Sequence, residues 1–151
     1  MTLSQYVLKR NGVPMGDNKA LLLMLQRAFG ASSFANFWKY WNPIWSYYLG
    51  RFIFKPLKRV FPTALATVLT FSISGLIHDL AVMVLKSKIS FLLSFWFTLM
   101  GILVVVGELL KINYSKSPLW VRVFFNGFII ASSFMLTRLL TSYWFPNIKA
   151  I

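Results

Sequence analysis

The sequence predicts an all-α integral membrane protein: about three transmembrane helices, preceded by N-terminal amphipathic helices that are interfacial or re-entrant. Three observations predict it. Hydrophobic residues make up 58% of the chain and charged residues only 13%, a balance that suits lipid better than a soluble domain. Charge is also unevenly placed. Of 16 Lys and Arg, against 3 Asp and Glu, Lys9, Arg10, Lys19, Arg27, Lys39, Arg51, Lys55, Lys58 and Arg59 all precede the first long apolar run. That is the asymmetry of membrane topology, and it argues against nucleic-acid binding, for which a basic soluble fold is the usual vehicle. Finally, runs at about 62–85, 89–110 and 120–145 each reach the roughly 20 residues of helix needed to cross about 30 Å of hydrocarbon. The chain therefore divides into a basic, aromatic-rich helical region, 1–61, and a three-span region, 62–151. Without cysteine there is no disulfide, thiolate metal site or cysteine nucleophile.

In chain order, Leu21 to Phe29 is a short helix closed by Gly30, and Ser32 or Ser33 caps a second helix, Phe34 to Trp41, whose aromatics are expected at headgroup level. Asn42-Pro43 ends it. A residue before proline avoids the α region, so a sharp corner is expected at Trp41 and Asn42. A third helix, Pro43 to Leu57, then starts with Asn42 as its cap. It is too interrupted by charge to span, and Arg51, Lys55, Lys58 and Arg59 are expected to reach towards phosphates. Pro62 suits the first turn of the first span, Lys86-Ser87-Lys88 a tight hairpin, and Lys111 to Pro118 the connection to the third span. Lys111 and Lys116 fall on the side of the N-terminal region, with Lys86, Lys88 and Lys149 opposite. The positive-inside rule thus puts the N-terminus in the cytoplasm.

Helical periodicity makes the first span the most informative. At about 100° per residue, Thr63, Thr67, Thr70, Ser74 and His78 share one arc, a hydroxyl stripe ending at the only histidine. Such a stripe faces other helices or a wet cavity, while Ser72 and Gly75 on an adjoining face allow another helix close. Asp79 points away from His78. It and Arg138 lie at similar depth in two parallel spans, which suggests mutual neutralisation. Asn126, Ser133, Thr137 and Thr141 form a second polar stripe, and Glu108 can pair with Lys111 or reach the interface. Each residue also has a plainer reading. Asn42 can be a cap only, His78 an interhelical hydrogen bond, the aromatics packing, and the basic group an anchor on anionic lipid.

Two motifs in order shift that balance: Ser33-x-x-x-Phe37-Trp38-x-x-Trp41-Asn42, then Phe71-x-x-Ser74-Gly75-Leu76-x-His78 inside a span. Over about residues 32–85 the chain resembles the membrane-bound O-acyltransferase superfamily, and within it the wax synthase and diacylglycerol or sterol acyltransferase branch. The resemblance implies His78 as the catalytic residue and Asn42 as the second signature position. Trp38, Trp41 and Ser74 would border the substrates, with Arg51, Lys55, Lys58 and Arg59 attracting the phosphates of an acyl-CoA. It implies a hydroxyl acceptor, a role in lipid metabolism, a bacterial inner membrane or endoplasmic reticulum location, and neither metal nor redox cofactor. The family commonly has glutamate where this chain has Asp79, and it uses more helices than three. A truncated or split member, one subunit of a larger or homo-oligomeric assembly, or an inactive remnant is therefore expected, and a non-catalytic membrane subunit is the alternative reading.

Overall fold

A computed structural model gives the fold and describes residues 1–86 and 89–144, the side chain of Trp144 excepted. The expected hairpin residues Ser87 and Lys88, the end of the third span at Phe145, and Lys149 lie outside the described residues. Among the described residues the chain is helical throughout, without strands. Three helices are long and apolar enough to cross a membrane: α6 (Thr63–Lys86), α7 (Leu92–Leu109) and α8 (Leu119–Trp144). Short helices precede them: α1 (Leu3–Asn11), α2 (Ala20–Phe29), α3 (Phe34–Tyr40), α4 (Pro43–Leu49) and α5 (Lys55–Val60).

α1 was not expected, although its ends are written in the sequence. Thr2 and Gln5 form a reciprocal capping box, and Gly12, at φ 82°, supplies the left-handed residue that closes the helix. It leans on α4 through Tyr6 and Tyr47, whose rings are 5.6 Å apart. α3 starts where expected, with Ser33 Oγ accepting the Asn36 N–H at 3.1 Å. Two of its aromatics belong to the core. Phe34 and Phe37 turn inward and pack with Ala28, Ala31, Met100 and Val104, because the α3 face that carries them covers α7.

Asn42 makes the corner. Its backbone is left-handed, φ 38° and ψ 72°, a region that asparagine tolerates better than most residues. The helix expected over Pro43 to Leu57 runs on to Val60, but not as one regular coil. Between α4 and α5 it widens into a π-helical turn, Gly50–Phe54, where the Lys55 N–H reaches the Gly50 carbonyl. Pro56 gives the reason, since its ring has no N–H and crowds the carbonyl four residues back.

α6 and α7 approach until side chains run out of room. A Cβ on Gly75 would lie 2.6 Å from the Leu93 carbonyl oxygen, and one on Gly101 would lie 2.9 Å from Phe71 Cβ. Ser72 Oγ and Thr98 Oγ1 meet at 2.8 Å on the same seam, the role expected of Ser72 and Gly75. The expected Asp79–Arg138 pair is absent. Asp79 is fully buried and accepts from Leu93 N, Ser94 N and Ser94 Oγ, whereas Arg138 is exposed. The reason is that the beginning of α7, with its unpaired N–H groups, lies against the face of α6 that carries Asp79. Glu108 is exposed, and its backbone carbonyl accepts the Lys111 N–H.

α8 turns its polar stripe inward. Asn126, Ser133 and Thr137 are buried, and Ser133 Oγ accepts the Trp96 indole N–H at 3.0 Å. Asn126 ties three segments together. Its amide donates to the Phe29 and Ala31 carbonyls at 2.8 and 3.1 Å, and its oxygen accepts from the Tyr114 hydroxyl. Burial pushes the Tyr114 phenol up to about 12, so it stays protonated and donating.

Three outcomes are expected. Gly75→Ala destabilises the fold by about 1–3 kcal/mol, because the new methyl meets backbone that cannot move aside. Gly107→Ala, with open space around the glycine, is neutral or stabilising by up to about 1 kcal/mol. Thermal unfolding of both variants in detergent micelles compares them. Asn126→Ala strands the Phe29 and Ala31 carbonyls and costs about 2–3 kcal/mol by the same measurement.

Candidate active site

Between the α3–α4 corner, the π turn and α6 lies a cavity of about 230 Å³. Its α6 wall is the stripe read from periodicity: Thr67, Thr70, Ser74 and His78 line it, while Thr63 is exposed and does not. The opposite wall carries Trp38, Trp41, Asn42 and Trp45, and Phe97 of α7 closes one side.

Intrahelical bonding decides what the stripe offers. Thr67 Oγ1 donates to the Thr63 carbonyl at 2.9 Å and Thr70 Oγ1 to the Ala66 carbonyl at 2.7 Å. Both protons are thereby committed, and the free lone pairs can only accept. His78 Nδ1 lies 2.7 Å from the Ser74 carbonyl oxygen. A carbonyl cannot donate, so Nδ1 carries the proton, and in the neutral ring Nε2 is the basic nitrogen. Nε2 has no protein partner among the described residues.

The imidazole is held by aromatic faces. Phe97 stacks on it with centroids 5.0 Å apart and planes at 26°, and Trp45 meets it edge-on at 5.6 Å and 83°. Trp45 is fixed in turn, because its indole N–H donates to Ser74 Oγ at 2.9 Å. Ser74 thus orients both rings, one through its carbonyl and one through its hydroxyl.

Asn42 is the helix cap that its position before Pro43 suggests. Its Oδ1 accepts the Trp45 N–H at 3.2 Å, which fixes the amide orientation and leaves the Nδ2 donors without a protein partner among the described residues. Capping and lining the cavity are therefore compatible.

The structure brings Asn42, His78, Trp38, Trp41 and Ser74 to one cavity, but not Arg51, Lys55, Lys58 and Arg59. Those four are exposed on the same helical run, whose Leu49, Gly50 and Phe54 face the cavity instead. The split is physical: one side of the run is apolar and covers α6, so the charged heads stay outside. Arg51 donates to the Tyr47 hydroxyl at 2.9 Å. Trp45 and Phe97 are the site residues that the motif reading does not single out. Trp45 sits three residues beyond the cap, a spacing that could have pointed to it; Phe97 is one aromatic in an apolar run and carries no such signal.

Removing either partner of the Trp45–Ser74 bond should loosen the wall. In a Trp45→Phe and Ser74→Ala double-mutant cycle, unfolding in micelles should show a coupling of about 1 kcal/mol.

Against known proteins, the sequence profile of the membrane-bound O-acyltransferase family matches residues 24–144. No curated protein and no solved structure gave a match.

Proposed function

The chain belongs to the membrane-bound O-acyltransferase family, and from that membership we propose that it transfers an acyl group from acyl-CoA to a hydroxyl acceptor at His78. One observation carries the assignment of residues: Asn42 and His78 border the same cavity, with Nδ1 anchored and Nε2 unpartnered. An alcohol oxygen attacks the thioester carbonyl as its proton passes to His78 Nε2, the C–S bond breaks, and the imidazolium returns the proton to the leaving thiolate. No covalent acyl-enzyme is required. The Ser74 carbonyl holds the Nδ1 proton throughout, which keeps the ring oriented. The Asn42 Nδ2 donors, left free by the capping bond, would stabilise charge on the carbonyl oxygen.

Trp38, Trp41 and Phe54 give the cavity an apolar wall suited to an acyl chain or a lipophilic alcohol. Arg51, Lys55, Lys58 and Arg59, outside the cavity, would draw the donor's phosphates towards it electrostatically. In this reading the N-terminal region, with its excess of Lys and Arg, lies on the cytoplasmic face where the donor is found, and the two motifs around Asn42 and His78 support the wax synthase or diacylglycerol acyltransferase branch.

Purified protein in proteoliposomes, supplied with labelled acyl-CoA and a panel of alcohols, tests the reading. His78→Ala should lower transfer by about 10²–10⁴-fold with insertion unchanged. Asn42→Asp keeps the cap and the left-handed backbone but loses the amide donors, and should lower transfer by about 10²–10³-fold. Full activity in His78→Ala removes the histidine from the reaction, and no transfer by the wild-type chain supports a non-catalytic subunit.

A further inference from the structure

We propose that Asp79 is a positioning residue for His78: by capping α7 from the neighbouring helix, its carboxylate holds Phe97 against the imidazole. Asp79 has no exposed surface, and a buried carboxylate is costly unless its oxygens are satisfied. Here three donors satisfy them. Leu93 N lies 3.1 Å from Oδ1, and Ser94 N and Ser94 Oγ each lie 2.6 Å from Oδ2. Leu93 and Ser94 are the second and third residues of α7, so their N–H groups have no acceptor within the helix. Phe91, in the cap position, provides no side-chain bond, and Ser90 Oγ reaches only Leu92 N, at 3.3 Å. Asp79 therefore does for α7 what a local aspartate normally does, and places a negative charge at the positive end of the helix.

Phe97 follows Ser94 by three residues, close to one turn of helix, so the position of the first turn sets the position of its ring. On α6, Gly75 and Asp79 are four apart and face α7, while Ser74 and His78 are four apart and face the cavity. Phe97 spans the two faces. Its Cβ lies 2.8 Å from where a Gly75 Cβ would be, and its ring stacks on His78. Seated this way, α7 leaves the imidazole no room to tilt on that side. Asp79 forms no hydrogen bond with the ring and acts on it through α7.

The functional consequence rests on His78 being the base in acyl transfer; the placement of the ring does not. A single histidine makes both measurable, because protein labelled with ¹⁵N,¹³C-histidine gives one set of imidazole resonances. Asp79→Asn keeps the shape but sets an NH₂ group against a helix N–H. It should move the imidazole proton resonances in the direction that Phe97→Leu moves them, as the shielding of the stacked ring is lost. In activity, kcat should fall at least about tenfold while KM stays within about threefold. Asp79→Glu, which keeps the charge, should restore part of both. Ser94→Ala removes one of the three donors at less risk to folding and should give a smaller shift in the same direction.

Imidazole resonances unmoved in Asp79→Asn and Ser94→Ala, or moved in a direction unlike Phe97→Leu, overturn the proposal, even where kcat falls. If the wild-type chain transfers no acyl group, the reading of the reaction fails alone, and the resonances still decide the positioning.

Discussion

Inside hydrocarbon every backbone N–H and C=O must find a partner in the protein, and the beginning of α7 is where this constraint shapes the molecule most. The first turn of that helix has donors and no acceptors, and the sequence around Phe91 supplies only the Ser90 hydroxyl. Asp79 meets the need from across the seam, with two backbone donors and a hydroxyl on one buried carboxylate. Because the cap comes from α6, satisfying the helix end and docking the two helices are one event. The close approach at Gly75 and Gly101 and the Ser72–Thr98 contact fix the same seam.

The same accounting covers several other polar groups of the spans. Thr67, Thr70 and Thr137 return their protons to carbonyls four residues back, so these hydroxyls lie along apolar helices without stranded donors. Asn126 acts over a longer range. It accepts from Tyr114 and donates to Phe29 and Ala31, joining the α7–α8 connection and the α2–α3 turn to α8. The α2–α3 turn leads directly into α3, which carries Trp38 and, at its end, Trp41 to the cavity, so the clamp bears on the site through α3.

The candidate site is made of fixed groups around His78 Nε2. Ser74 sets the tautomer through its carbonyl and seats Trp45 through its hydroxyl. Phe97 and Trp45 confine the ring, and Asn42 is held by its own capping bond. Preorganisation of this kind lets a group act at the reacting atom without first reordering its surroundings. The charges stay outside. The only acidic side chain among the residues that flank the imidazole in sequence is spent on a helix end, so the cavity wall itself is neutral and aromatic.

Periodicity and composition determined a good deal. The three spans, the Ser33 and Asn42 caps, the corner at Pro43 and the arc from Thr67 to His78 all follow from local rules: helix length, capping preference, proline sterics and 100° steps. α1 was legible too, in Thr2, Gln5 and Gly12, but its nine residues are too short a window for periodicity to announce it. What only the tertiary structure decided is which neighbour each outward-pointing group meets. Asp79 found the end of α7 instead of Arg138, Phe34 and Phe37 found the core against α7, and Phe97 found the imidazole. Backbone geometry sets the direction in which a side chain leaves its helix. The partner waiting there depends on how helices far apart in sequence are docked, and no local rule carries that information.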